Sequence, residues 1–98
     1  MAKINAEKIP PELRPFIPYA EKYGEPDIDI REHLVEAASV DELHELAEIW
    51  NFCIGSISDW LAQPEVRAEP TTNEYLAFTC LILAVSSARF RLDHLGKQ

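Results

Sequence analysis

The sequence predicts an all-α protein that folds as a small four-helix bundle. Two long stretches place apolar residues at spacings of three and four, which is the period of an amphipathic helix. Three segments start with Ser, Thr or Asp followed three positions later by Glu, the capping-box signature of a helix start. The chain has only three glycines and no low-complexity tract, so it offers few flexible linkers.

The N-terminal part is expected to hold one short helix. The 98 residues have the length of one domain, so we expect a single helical domain over 1–98, with 1–9 as a loose arm because it shows no clear period. The first helix is predicted over 15–23, since its two prolines are tolerated in a first turn, where backbone N–H groups have no intrahelical partner. Gly24 is expected to end it in the left-handed conformation.

Two further helix starts follow in the middle of the chain. A second short helix is predicted over 30–38, with Asp29 as its cap. A long third helix is predicted over 40–62, with Ser39 as its cap and a proline shortly after its end. Its apolar residues form one continuous stripe, which we expect to be buried: Leu43, Leu46, Ala47, Trp50, Cys53, Ile54, Ile57 and Leu61.

The fourth helix is predicted over 72–95, with Thr71 as its cap and Gly96 just beyond its end. It is apolar on nearly all sides, so we expect it to be enclosed by other helices or buried in a subunit interface. With the third helix it should form a long antiparallel hairpin, across which the two short helices pack. A seam of small residues should let another helix backbone approach it closely: Ala77, Cys80, Ala84, Ser87 and Ala88.

The charge of the chain is strongly acidic. Seventeen Asp and Glu against nine Lys and Arg give a formal net charge of −8. Nine of the acids fall between Glu25 and Glu48, where Arg31 is the only Lys or Arg. Such a surface repels phosphate backbones and anionic lipid headgroups, so binding to nucleic acid or to a membrane is not expected. The acidic excess either keeps the protein soluble or attracts a basic partner.

The location of the protein is expected to be cytoplasmic. The N-terminal residues lack the apolar core and cleavage site of a secretory signal. The longest apolar run, over 75–85, is about half of the roughly 20 residues that a bilayer span needs. Cys53 and Cys80 form no CxxC pair, which suits two free thiols in a reducing compartment.

No catalytic motif is visible, so we expect a protein with no enzymatic activity and no cofactor. The chain has no G-x-S-x-G, no glycine-rich phosphate loop and no H-E-x-x-H. It also has no Glu-x-x-His pair, and His44 falls on the polar face of the third helix, which argues against a metal site. The alternative is a small-ligand or metal-binding helical protein with its site near Cys53, Cys80 or His44.

The function expected from these features is protein binding by shape and negative charge, as in an inhibitor, an immunity-type protein or an adaptor. Its partner would be a protein with a basic surface, and neutralising Glu42, Glu45 and Glu48 should weaken capture while leaving the fold intact. Trp60 is either a binding anchor or a core residue. A homodimer is left open, because the two short helices are too short to cover the fourth. The candidate binding residues are Asp41, Glu42, Glu45, Glu48, Asp59 and Trp60.

Overall fold

Helices are the only regular elements in the computed structural model, which describes residues 4–68 and 72–95. The predicted all-α class is confirmed. The α-helices are α1 (Ile17–Tyr23), α2 (Ile28–Ala37), α3 (Val40–Phe52), α4 (Ser58–Leu61), α5 (Pro64–Arg67) and α6 (Asn73–Leu95). Two 3₁₀ segments, Ala6–Lys8 and Pro11–Phe16, precede α1, and a π-helical turn, Cys53–Ile57, joins α3 to α4.

The predicted long hairpin is formed by α3 and α6, and the third predicted helix consists of three consecutive helical segments. α3, the π-helical turn and α4 run without a break over 40–61, close to the predicted 40–62. A π-helical turn holds more residues than an α-helical turn, so it shifts the faces of α4 relative to α3. α6 packs against α3, and α1 and α2 also lie against α6.

The core lies along one side of α6. Phe78, Leu81 and Val85 are fully buried there, and the Trp60 ring meets the Phe78 ring edge-on with 5.5 Å between centroids. Residues of α3 and of the π-helical turn pack against the same side. The fully buried aliphatic residues outside α6 are Ile9, Leu13, Val35, Leu46 and Ile57.

The small residues of α6 allow a close helix contact, as the seam predicted. Ala77 and Ala84 are buried, and a Cβ placed on Gly24 would overlap the carbonyl oxygens of Ala20 and Ala77. The predicted left-handed conformation at Gly24 is wrong, since its φ is −81° and its ψ is 51°. The glycine is required because the end of α1 touches the backbone of α6, a contact that local sequence does not show.

Three of the predicted helix starts are shifted: α1 begins at Ile17 and not at 15, because Pro11–Phe16 is a 3₁₀ segment, α2 begins at Ile28 and not at 30, and α6 begins at Asn73 and not at 72. Asp27, not Asp29, caps the second helix by accepting hydrogen bonds from the N–H groups of Asp29 and Ile30, so the helix begins earlier than predicted. Asp29 instead lies in the first turn. Thr71 and Gly96 lie outside the described residues, and the Thr72 hydroxyl accepts from the Tyr75 N–H at the start of α6.

The expectation of a loose arm is wrong for 4–9. Ile9 is fully buried, and Ile4 packs against the core. The Asn5 N–H donates to the nearly buried Glu74 carboxylate at 3.2 Å, and the Lys8 ammonium lies 3.6 Å from the same group. Glu74 therefore fixes the N-terminal segment on the start of α6. These isolated contacts leave no periodic signal in the sequence.

Within the described residues, α6 is enclosed by other helices on one side only, so the first of the two expectations for it holds for that side alone. The side chains of Leu83 and Phe90 are 47% and 64% exposed. By length and composition the stretch Asn73–His94 also qualifies as a membrane span, with a mean hydropathy of 1.4 and 39% of the window buried. A core helix meets the same criteria, so this property alone assigns no membrane role.

Candidate interaction surfaces

Three carboxylates of α3 form one line on its outer side. Asp41, Glu45 and Glu48 are spaced at four and three residues, which places them on a single face of a helix. All three are exposed. No Lys, Arg or His of the described residues forms an ion pair with any of them. We call these three residues the acidic stripe.

An aromatic pair ends the acidic stripe. Phe52 lies four residues after Glu48, on the same face of α3, and its side chain is 48% exposed. Its ring lies 4.8 Å from the ring of Phe16, with the two planes tilted by 45°. The outer face of α3 therefore offers negative charge along its length and a half-exposed apolar surface at its end.

Glu42 has a structural role that the sequence did not reveal. It accepts a hydrogen bond from the Tyr23 hydroxyl at 2.7 Å and one from the Lys22 ammonium at 3.0 Å. It also completes the predicted capping box with Ser39, whose hydroxyl accepts from the Glu42 N–H. Bonds from Tyr23, Lys22 and Ser39 lower the pKa of Glu42 from 4.5 to about 2. Glu42 thus links the end of α1 to the start of α3.

We expect Glu42→Gln to destabilise the protein at neutral pH. The free energy of unfolding of the variant should also depend less on pH in acid than that of the wild type. A carboxylate whose pKa is lower in the folded state stabilises the fold above its unfolded value of 4.5. That stabilisation is lost as pH falls toward the folded pKa of about 2. Urea unfolding should be measured at pH 7 and at steps between about pH 5 and about pH 2. Over those steps the free energy of unfolding of the wild type should fall toward that of the variant. A constant difference over that range would contradict this role.

The other two candidate residues lie outside the acidic stripe. Trp60 is 7% exposed and packs on Phe78, so it is a core residue and not a surface anchor. Asp59 is exposed on α4, but the π-helical turn separates it from α3 and changes its angular position. The structure therefore keeps Asp41, Glu45 and Glu48 together and separates them from Glu42, Asp59 and Trp60.

A groove between α2, the start of α3 and the second half of α6 was not predicted. Its volume is about 800 Å³, within the range of ligand and peptide pockets. Val35 and Leu43 supply buried apolar surface, while Val40 and Phe90 stand at 53% and 64% exposure. No sequence pattern indicates the groove, because its lining comes from three separate helices. The remaining lining residues are Glu32, Glu36, Ala38, Ser86, Ser87, Arg91 and His94.

The walls of the groove carry both signs of charge. On the α2 side, Glu32 accepts a hydrogen bond from the Ser87 hydroxyl at 2.9 Å. Glu36 lies on the same side, and its carboxylate is 3.9 Å from the Arg91 guanidinium of α6. The groove therefore differs from the acidic stripe, where the described residues supply no cation.

Of the three residues proposed for a ligand or metal site, the structure describes the side chains of Cys80 and His44. Cys80 is buried, and burial raises the pKa of its thiol, although the Arg31 guanidinium beside it acts in the opposite direction. His44 is exposed on α3, and the Cys53 side chain lies outside the description. Within 4–68 and 72–95, no three His, Cys, Asp or Glu residues form a group that could hold a metal ion.

Arg31 is the only Lys or Arg in the acidic run, the stretch from Glu25 to Glu48, and it is buried. It is 6% exposed and donates from its terminal nitrogen to the Glu25 carbonyl at 2.8 Å, while its Nε has no partner. The acidic run therefore presents almost no positive charge of its own to the solvent.

Comparison with known proteins returned no relative of this chain. The sequence matches no family model and no curated protein, and the structure matches no solved structure. The surfaces of the chain itself therefore carry the functional proposal.

Proposed function

We propose that this protein is a non-catalytic interaction module that binds a basic segment of another protein along the outer face of α3. One observation supports the proposal above the others. The acidic stripe aligns three exposed carboxylates, and no cation of the described residues pairs with them. Carboxylates in that state are available to pair with the Lys and Arg residues of a partner.

The dimensions of the surface define the partner further. With a rise of 1.5 Å per residue, the acidic stripe spans about 10 Å, and Phe52 lies about 6 Å beyond Glu48. A partner helix with cations at positions i, i+4 and i+7 matches the carboxylates. An apolar side chain one turn beyond them would lie on the rings of Phe16 and Phe52.

The charge of the stripe should govern encounter and choice of partner more than binding strength. Exposed ion pairs contribute about 0.2–1 kcal/mol each, whereas long-range attraction raises the association rate and is weakened by salt. The aromatic pair adds apolar contact that salt does not screen. An inhibitor, an immunity-type protein or an adaptor would use a surface of this kind against a basic partner.

The test uses a synthetic helical peptide with Lys at three matching positions and Phe one turn beyond them. We expect the triple variant Asp41→Asn, Glu45→Gln, Glu48→Gln to bind it about tenfold more weakly, because three exposed pairs are lost. Fluorescence anisotropy of the labelled peptide at about 50 and about 300 mM NaCl should show a smaller salt dependence for the variant. Glu42 is left unchanged, since its bonds to α1 make it structural.

The matched control removes the same charge elsewhere. Glu7, Glu12 and Glu65 are exposed and lie outside α3, so their change to Gln removes the same three negative charges from the protein. We expect this control to bind the peptide nearly as well as the wild type. Equal weakening by both triple variants would mean that net charge alone is measured, and unchanged binding by the α3 variant would refute the proposal.

A further inference from the structure

We infer that the groove between α2, α3 and α6 is a self-association surface whose occupant is a second copy of this chain. The shape of this surface suits a second copy. Phe90 projects from α6 with 64% of its side chain exposed, directly beside a groove of about 800 Å³ that it helps to line. Val40 and Leu83 add exposed apolar surface on α3 and α6. One patch thus contains both a protruding aromatic ring and a cavity able to receive one.

The charges on the walls of the groove also suit a second copy. The α2 wall carries Glu32 and Glu36, and the α6 wall carries Arg91 and His94. Glu36 and Arg91 lie 3.9 Å apart within one copy, and in a two-fold dimer, where the same patch faces itself, each can also meet its opposite charge on the other copy. A uniformly basic segment would meet Arg91 with like charge, and an acidic one would meet Glu36 in the same way. A second copy satisfies both walls.

Repulsion between two acidic copies limits which surfaces can associate. Two copies with a formal charge of −8 each repel one another, so association is least opposed where charge is balanced. The groove comes nearer to balance than the acidic stripe, because Arg91 stands against the carboxylates of Glu32 and Glu36 and lies 3.9 Å from the latter. Val40 at its rim is turned by about 100° around α3 from Asp41, so the acidic stripe points to a different side. Self-association therefore stands apart from the proposed binding of a basic partner.

Salt should act in opposite directions on the two surfaces. Salt screens the few ion pairs between the walls, but it also screens the repulsion between two copies of charge −8, which involves more charge, and it leaves apolar burial intact, so dimerisation should strengthen at high salt. Capture of a basic peptide by the acidic stripe should weaken under the same change. The sign of the salt effect hence separates the two proposals experimentally.

The experiment is sedimentation equilibrium of the full chain between about 5 and about 500 μM, at about 50 and about 500 mM NaCl. We expect a dimer that strengthens with salt. Phe90→Asp should weaken it more than about tenfold, as removal of a central aromatic anchor does in other interfaces. Ile30→Asp is the matched control, because Ile30 is 51% exposed but does not line the groove, and it should leave the dimer unchanged.

A charge exchange tests the proposed pairing of walls. Glu36→Arg makes the rim of the groove cationic on both sides, and Arg91→Glu makes it anionic on both sides. Each variant alone should dimerise more weakly than the wild type, and an equimolar mixture should form heterodimers. The inference is overturned by a monomer at every concentration or by a dimer that Phe90→Asp leaves intact. A monomer whose Phe90 resonances respond to dodecylphosphocholine would also overturn it and assign the groove to a small amphiphile.

Discussion

Replacing Gly24 with alanine is expected to destabilise the protein by about 3 kcal/mol, at the upper end of the usual cost of overpacking. The added Cβ would overlap the carbonyl oxygen of Ala20 in α1 and that of Ala77 in α6. Both are backbone atoms of helices, so neither can rotate away as a side chain would. The strain can be relieved only by moving α1 away from α6, which opens the core around Ala20 and Tyr23.

Gly55 provides the matched control for this change. A Cβ at Gly55 meets no atom within 4 Å, so Gly55→Ala should be neutral or stabilising by up to about 1 kcal/mol. Urea unfolding followed by tryptophan fluorescence gives both free energies. The close contact of α1 and α6 would be refuted if the two alanine variants were equally stable.

Gly24 also illustrates what the sequence could and could not predict. The end of α1 at this position follows from local pattern, and the small residues of α6 indicated that some helix would approach closely. The predicted reason for the glycine, a left-handed conformation, was nevertheless wrong. The actual reason is the close approach of Ala77, fifty-three positions away. Helix positions were predictable here because periodicity and caps act over a few residues, whereas a contact between distant backbones has no local signal.

The same limit applies to the N-terminal segment and to the groove. Ile9 and Leu13 are buried, but a single spacing of four residues is too little to define a helical period. The hydrogen bond between the Asn5 N–H and the Glu74 carboxylate joins residues 69 positions apart. The groove lining likewise comes from three helices, so its existence depends on how those helices pack.

The acidic run shows how one compositional signal divides into different roles. Glu42 holds α1, Asp27 caps α2 and Glu32 accepts from Ser87, so these carboxylates are structural. In the acidic stripe, Glu45 accepts one long hydrogen bond from the Tyr19 hydroxyl at 3.5 Å, and no cation of the described residues pairs with any of the three carboxylates. Charge counts could identify the acidic region, but only the positions of Tyr23, Lys22 and Ser87 distinguish structural acids from available ones.

Phe78→Ala is expected to destabilise the protein by about 3–5 kcal/mol, the usual cost of removing a buried aromatic ring. Phe78 is fully buried and meets the edge of Trp60 with 5.5 Å between the ring centroids. The loss would be a large part of the about 5–15 kcal/mol that stabilises a typical domain. Urea unfolding at low micromolar concentration measures it. A cost below about 1 kcal/mol would mean that this side of α6 does not face the core.

Phe90→Ala is the control on the same helix, and its concentration dependence links stability to self-association. Phe90 is 64% exposed, so at low concentration its loss should change stability by no more than about 0.5 kcal/mol. A dimer stabilises the folded state by mass action, so the cost of Phe90→Ala should rise as concentration increases. The cost of Phe78→Ala should stay constant, because that ring is buried within one copy. The two phenylalanines therefore separate the side of α6 that forms the core from the side proposed to bind a second copy.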